Sequence, residues 1–220
     1  MILFGAYSDP GCHDYFNDCN FDMSCMAAIV AGNSDMTFND CTAECGSYFA
    51  LTHCVNGWQE EVADITVTGG DIHTKKECVL VKSHNMMLDL CDVNISSDKG
   101  ILVHTIVNDD PCATKVTKDV FGVNVVMTDM DVKGDLLHED TTREMWVMLN
   151  STQLTGAIQH ANVAFDKGSK WVATADSDVV FVTDVEPAQI DAPAGVTITA
   201  KGAEAGEFAL ASGGKLVVTA

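Results

Sequence analysis

One short strand pattern is written into this chain several times. It runs apolar, any, apolar, two spacers, small or apolar, any, apolar. ITVTGGDI (Ile65 to Ile72) and LDLCDVNI (Leu88 to Ile95) follow it position for position. MTFNDCTA (Met36 to Ala43) and VVMTDMDV (Val125 to Val132) follow it too, and Trp146 to Leu154 and Val163 to Trp171 do so with one added residue. Starts at 36, 65, 88, 125, 146 and 163 give steps of 29, 23, 37, 21 and 17. A period of about twenty residues carrying insertions underlies these steps.

Each copy alternates apolar and polar residues, the mark of a strand with one buried face. Second short strands lie between copies, at CVLV (Cys78 to Val81), ILVH (Ile101 to His104) and VVFV (Val179 to Val182). Gly, Asn, Asp and Ser gather at the joints, as in SSDKG and FDKGS. The best helical segment is Val55 to Asp64, with GWQEEVAD, and it is short. An antiparallel sandwich is the alternative. Against it, Asn56-Gly57 is the one clear hairpin pair, and the copies run in one direction with constant offsets. A coil of twenty residues cannot bury its own apolar face, whereas coil stacked on coil buries it against the next copy. The expected fold is therefore all-β, a single-domain solenoid of parallel strands, with Phe38, Val67, Leu90, Met127, Met148 and Phe165 pointing inward. Ten methionines suit the irregular gaps of such an interior. Residues 1–24 are expected to close the N-terminal end, 25–185 to form the coils, and 186–220 to form the last coil or a cap.

The chain resembles the right-handed parallel β-helix repeat proteins of the pectin-lyase-like fold, many of them adhesin-like bacterial surface or secreted proteins. The resemblance rests on ITVTGGDIHTKKECVLVKSHNMMLDLCDVNISSDKGILV, then NVVMTDMDVKGDLL, LNSTQLTGAI and FDKGSKWVATADSDV, and it covers about Cys25 to Val182. It implies a right-handed winding. It also implies one of two activities, non-catalytic adhesion or the polysaccharide lyase and glycosidase chemistry that the same fold hosts. This chain is richer in Cys, Met and Asp than those proteins usually are.

The formal net charge is −20, with 32 acidic residues against 12 lysines and arginines. Such a surface repels nucleic acid and anionic lipid. No run of eighteen apolar residues is present, so no membrane insertion is expected. The N-terminus, MILFGAYSDPGCHDYF, lacks a basic region followed by a long apolar one. The location is extracellular or cell-surface if a signal was removed, and cytoplasmic otherwise. The expected partners are a polysaccharide or a surface protein, with homo-oligomers compatible with flat solenoid faces. Nine cysteines, all within the first 112 residues, form no CxxC pair. They are read as free thiols that pack as small apolar groups, with one or more disulfides or a metal site as the alternatives.

No catalytic set is legible. There is no GxSxG, HExxH or phosphate-binding glycine loop. No resident cofactor is expected, calcium being the one candidate. Its ligands would be Asp129, Asp131 and Asp135, since oxygen-rich clusters on adjacent coils suit that ion. Asp176, Asp178 and Asp184 form a similar group. By the resemblance, a lyase would add a basic residue, with Lys133 near Asp131 and Arg143, the only arginine, on offer. A Cys/Met/His metal protein is the second alternative, with His53, Cys54 and His104 as its members. The sequons at Asn94 and Asn150 are of the kind that occurs by chance.

Overall fold

The computed structural model describes residues 4–53, 61–110, 121–140, 142–202 and 205–220. The chain forms a parallel β-helix with three strands per coil. The first coil holds β1 (Phe4–Ser8), β2 (His13–Asn17) and β3 (Asn20–Met23). The second holds β4 (Met26–Ala31), β5 (Asp35–Asn39) and β6 (Thr42–Cys45), and the third β7 (Ala50–His53), β8 (Val62–Thr68) and β9 (Asp71–Thr74). The fourth holds β10 (Val79–Lys82), β11 (Asn85–Cys91) and β12 (Asn94–Ser97), and the fifth β13 (Ile101–Ile106), β14 (Val123–Thr128) and β15 (Asp131–Lys133). The sixth holds β16 (Asp135–His138), β17 (Met145–Asn150) and β18 (Gln153–Thr155). The coils then narrow to β19 (Ile158–Phe165) with β20 (Lys170–Val172), and β21 (Ser177–Phe181) with β22 (Ile190–Asp191). The last strands are β23 (Thr197–Lys201), β24 (Gly206–Ala209) and β25 (Lys215–Thr219). Among the described residues, every strand pair is parallel except β24 on β25.

Three sheets result. Sheet one stacks the first strand of each coil, from β1 and β4 through to β25. Sheet two stacks β2, β5, β8, β11, β14, β17 and the second half of β19. Sheet three comes in two runs, β3-β6-β9-β12 and β15-β18-β20-β22. The pattern read from the sequence spans sheets two and three. Met36, Ile65, Leu88 and Val125 pair in one row, and Ala43, Ile72 and Ile95 in another.

The core is a column of stacked apolar layers. Phe38 meets Phe49 at 4.9 Å and Phe16 at 5.1 Å between ring centroids near the N-terminal end. Leu88, Leu90, Met127 and Leu136 fill the middle. Trp171 is fully buried near the other end. Its indole N–H donates to the Gly156 carbonyl at 2.8 Å, so the buried polar tip is satisfied. That bond ties the LTGAI segment to GSKWV. Gly156 is required for a separate reason: a Cβ there would sit 2.0 Å from the Gly134 carbonyl oxygen.

Sheets two and three meet at a corner made the same way in six coils. Asp18, Asp40, Gly69, Asp92, Asp129 and Ser151 all take φ between 49° and 65°. Asp and Gly tolerate this left-handed conformation better than most residues. Five of their N–H groups donate to the next coil's carbonyls: Asp18 to Asn39, Asp40 to Thr68, Gly69 to Cys91, Asp92 to Thr128 and Asp129 to Asn150, at 2.8–3.1 Å.

This ladder corrects the expected register at Trp146. Val147 pairs with Val125, and Leu149 with Met127. Trp146 and Met148 therefore point outward, at 38% and 47% exposure. A one-residue slip exchanges the two faces of a strand. MWVML is apolar on both, so alternation cannot choose between them. Ser151, seated in the corner row, does.

Val62 to Asp64, the end of the expected helix, belong to β8; residues 55–60 lie outside the described residues. The seven described cysteines are free thiols, with Cys41, Cys45 and Cys78 buried. Burial pushes the Cys45 thiol up to about 11 and that of Cys78 up to about 12, leaving them protonated and inert. Cys54 and Cys112 lie outside the described residues. Among the described residues, no helix is long and apolar enough to cross a membrane.

Candidate functional site

The outer face of sheet two carries continuous rows of side chains. One row runs His13, Asp35, Asp64, Met87, Asn124, Trp146, Asn162. The next runs Tyr15, Thr37, Thr66, Asp89, Val126, Met148, Ala164. Neighbouring strands in a sheet lie about 4.8 Å apart, so the six coils from β2 to β17 make a ribbon about 24 Å long. Tyr15 stands at one end, 69% exposed. Trp146 and Met148 stand at the other.

Three carboxylates occupy the middle. Asp35 and Asp64 are directly opposed, which places their Cα atoms about 4.8 Å apart. Asp89 is one coil further and two residues along, about 8 Å from Asp64 between Cα atoms. Burial raises the Asp64 carboxyl above the ordinary range, and the charges of Asp35 and Asp89 push the same way. Burial also raises Asp89. His13 Nδ1 bonds to Asp35. A carboxyl held toward its neutral form beside a second carboxyl is one element of the environment an acid and base pair requires. The sequence held a signal for this group. Asp35 and Asp64 both precede the first apolar position of the repeated pattern, in DMTF and DITV.

The corner between sheets one and two carries the insertions. Between β7 and β8 the chain spends eight residues, and between β13 and β14 sixteen. The coil between them turns in two, Ser83 and His84. The long steps of 29 and 37 thus arise at one corner. Insertions gathered on one side of a solenoid commonly mark its binding side.

Basic and imidazole groups collect at this corner in an otherwise acidic protein. Lys82, at the end of β10, pairs with Asp109 at 2.8 Å and Asp110 at 2.9 Å. His53, at the end of β7, lies 4.0 Å from Asp110. His84 is fully buried, and neither ring nitrogen has a partner among the described residues. Burial, with the charges of His53 and Arg143, pushes it down to about 3, so it is neutral. His138 Nε2 donates to the Arg143 carbonyl at 2.9 Å, and His160 Nδ1 to the His138 carbonyl at 3.2 Å. Arg143 is itself buried against Asp140, away from the open sheet faces where a lyase base is needed.

The calcium candidates do not converge. Asp129 serves the left-handed corner. Asp131 opens β15 on sheet three, exposed and beside Gln153. Asp135 opens β16 on sheet one and accepts the Ala157 N–H at 2.7 Å. Lys133 ends β15 on sheet three. Asp176 accepts from the Thr197 N–H at 2.7 Å, and Asp178 stands on β21. His104 sits in mid-β13, two coils and two rows from His53, where it faces Glu77 at 3.5 Å and Glu139 at 3.3 Å. Among the described residues, no three His, Cys, Asp or Glu side chains form a set that could hold a metal. No family model, no curated protein and no solved structure matches the chain.

Proposed function

We propose that this chain is a non-catalytic, adhesin-like β-helix module of a surface or secreted protein, of the pectin-lyase-like type, and that it binds polysaccharide along the outer face of sheet two. The observation behind this reading is the ribbon itself, a straight run of stacked side chains about 24 Å long. Exposed Tyr15 and Trp146 offer flat faces at its ends, and Asn, Thr and Asp side chains lie between as hydrogen-bonding groups. Aromatic faces with convergent polar groups suit a sugar, which is apolar on its ring faces and hydroxylated at its rim.

A panel of purified polysaccharides, tested with calcium and with chelator, checks the proposal. Binding of one polymer class without shortening is the expected result. Trp146→Ala is then expected to weaken binding at least about tenfold while leaving the melting temperature within a few degrees, because the ring is part-exposed. Equal binding by Trp146→Ala and by Tyr15→Ala would remove the ribbon as the site.

One observation favours a glycosidase as the second reading, namely the opposed Asp35 and Asp64 with the Asp64 carboxyl raised. In that reading Asp64 donates a proton to the leaving oxygen, and Asp35 or Asp89 serves as nucleophile or base. New reducing ends, lost in Asp64→Asn with binding retained, would establish it. In the non-catalytic reading Asp64→Asn changes affinity a few-fold at most.

A further inference from the structure

The last coil leaves a hollow on its inner side. The inward residues of β23 are Ile198 and Ala200, which pair with Leu216 and Val218 of β25. Gly202 is the next inward position after Ala200. The last described strand of sheet three is β22, and the segment 182–187 faces these residues instead. On the other side β24 folds back antiparallel on β25 and sets Phe208 opposite Leu216. A cavity of about 780 Å³ lies between them.

A missing side chain makes part of this room. Phe181 meets Phe165 at 6.2 Å between ring centroids. Beside it stands Gly202, where a Cβ would be 3.7 Å from Phe181 Cβ and 3.4 Å from Val218 Cγ1, both ordinary contacts. The backbone of Gly202 is not left-handed, so conformation does not require glycine there. What the glycine leaves is volume. The walls are apolar, formed by Phe181, Val185, Phe208, Leu216 and Val218. Phe181, Val185 and Phe208 are half-buried, and the apolar surface they still show to water gains by being covered. The volume falls within the range of sites for small organic molecules. Charge narrows the choice further. Asp184 and Glu186 are the charged residues of the lining, and among the described residues no Lys, Arg or His joins them. A cleft with apolar walls and charge of one sign gathers the opposite sign and repels its own. Both carboxylates are exposed, so a cation beside them keeps part of its hydration.

We infer that this cavity takes a hydrophobic amine, an apolar body carrying one cationic nitrogen. The body lies against Phe181, Phe208 and Leu216, and the ammonium stays at the wall that carries Asp184 and Glu186. Apolar anions such as fatty acids are refused. The site is separate from the outer ribbon on sheet two and stands or falls without it.

Calorimetric titration of the full chain at low ionic strength tests this, with ethyl-, hexyl- and octylammonium as probes below their micelle concentrations. Octanol and octanoate serve as neutral and anionic comparisons. Octylammonium is expected to bind saturably at one site, about tenfold tighter than hexylammonium, as two further buried methylenes imply. Octanoate is expected to bind at least about tenfold more weakly than octylammonium. Gly202→Leu places a side chain in the hollow and is expected to weaken octylammonium at least about tenfold. Asp184→Asn combined with Glu186→Gln changes only exposed groups, and is expected to bring octylammonium and octanol close to parity. That second variant decides the matter if Gly202→Leu lowers the melting temperature by more than a few degrees. Ethylammonium binding as tightly as octylammonium would reduce the effect to the acidic surface and overturn the inference. Octanoate binding as tightly as octylammonium, unchanged binding by a folded Gly202→Leu, or no binding of any probe would overturn it as well.

Discussion

Alanine at Gly70 is expected to destabilise the fold by about 4 kcal/mol, against about 1 kcal/mol for alanine at Gly100. Both glycines have left-handed backbone, with φ of +84° and +69°. Both substitutions therefore carry the same conformational strain, roughly 1 kcal/mol. They differ in what the new methyl group meets. At Gly100 nothing lies within 4 Å, whereas at Gly70 a Cβ would be 2.0 Å from the Cys41 carbonyl oxygen and 2.8 Å from its nitrogen. Backbone cannot swing aside as a side chain does, so the third coil must move off the second. That movement strains the bonds that flank the contact, Asp71 N–H to Cys41 at 3.1 Å and Asn94 N–H to Gly70 at 3.0 Å. Losing or stretching two buried backbone bonds at about 1–3 kcal/mol each supplies the difference. Urea unfolding followed by circular dichroism measures both variants. Equal shifts in the midpoint would show that close approach of coils is not what requires glycine in this TGG turn.

The stacking was legible because it rests on a property that each segment carries alone. Alternation with fixed offsets marks a strand whose partner is its own next copy, and Met36, Ile65, Leu88 and Val125 do pair in a single row. Register failed only where alternation is degenerate, at Trp146 to Leu149, and there the left-handed corner decides it. That corner has its own sequence mark, an Asp, Gly or Ser at Asp18, Asp40, Gly69, Asp92, Asp129 and Ser151, which had suggested a metal ligand at Asp129. A carboxylate at a turn serves backbone conformation as readily as it serves an ion.

The surface groups were less legible because they depend on coil-to-coil distance. Asp35 and Asp64 are 29 residues apart, and the intervening insertion hides their opposition. Arg143 and Asp140 are three residues apart, but their burial follows from how the sixth coil turns from β16 into β17. An irregular step length is thus informative twice. It says that a loop has been added, and once the corner is known it says which face the loop borders.

Acidification from pH 7.5 to 5.5 is expected to lower stability by about 1.4 kcal/mol through His84 alone. The ring is fully buried with neither nitrogen partnered among the described residues, and its folded-state value is about 3 against an ordinary 6.5. A base whose value is depressed by folding binds its proton first in the unfolded chain. Its contribution is therefore intact above about pH 6.5, falls at up to 1.36 kcal/mol per unit below that, and is exhausted near pH 3, a total of about 5 kcal/mol. Burial lowers His53 and His138 as well, and both add loss in the same direction. His73 works in the opposite sense. Its bonds to Glu44 and Asp98 raise it, so its small, solvent-screened contribution is present at low pH and fades as pH rises through its raised value. His84→Leu removes the largest titration from this window. The comparison is of slopes, since the absolute stability of the variant also reflects packing. The wild-type chain should lose stability steeply between pH 7.5 and 5.5, and His84→Leu should keep only the weaker slope left by His53 and His138. Parallel slopes would mean that His84 is hydrated or paired in solution, and the insertion-bearing corner would then be more open than its burial implies.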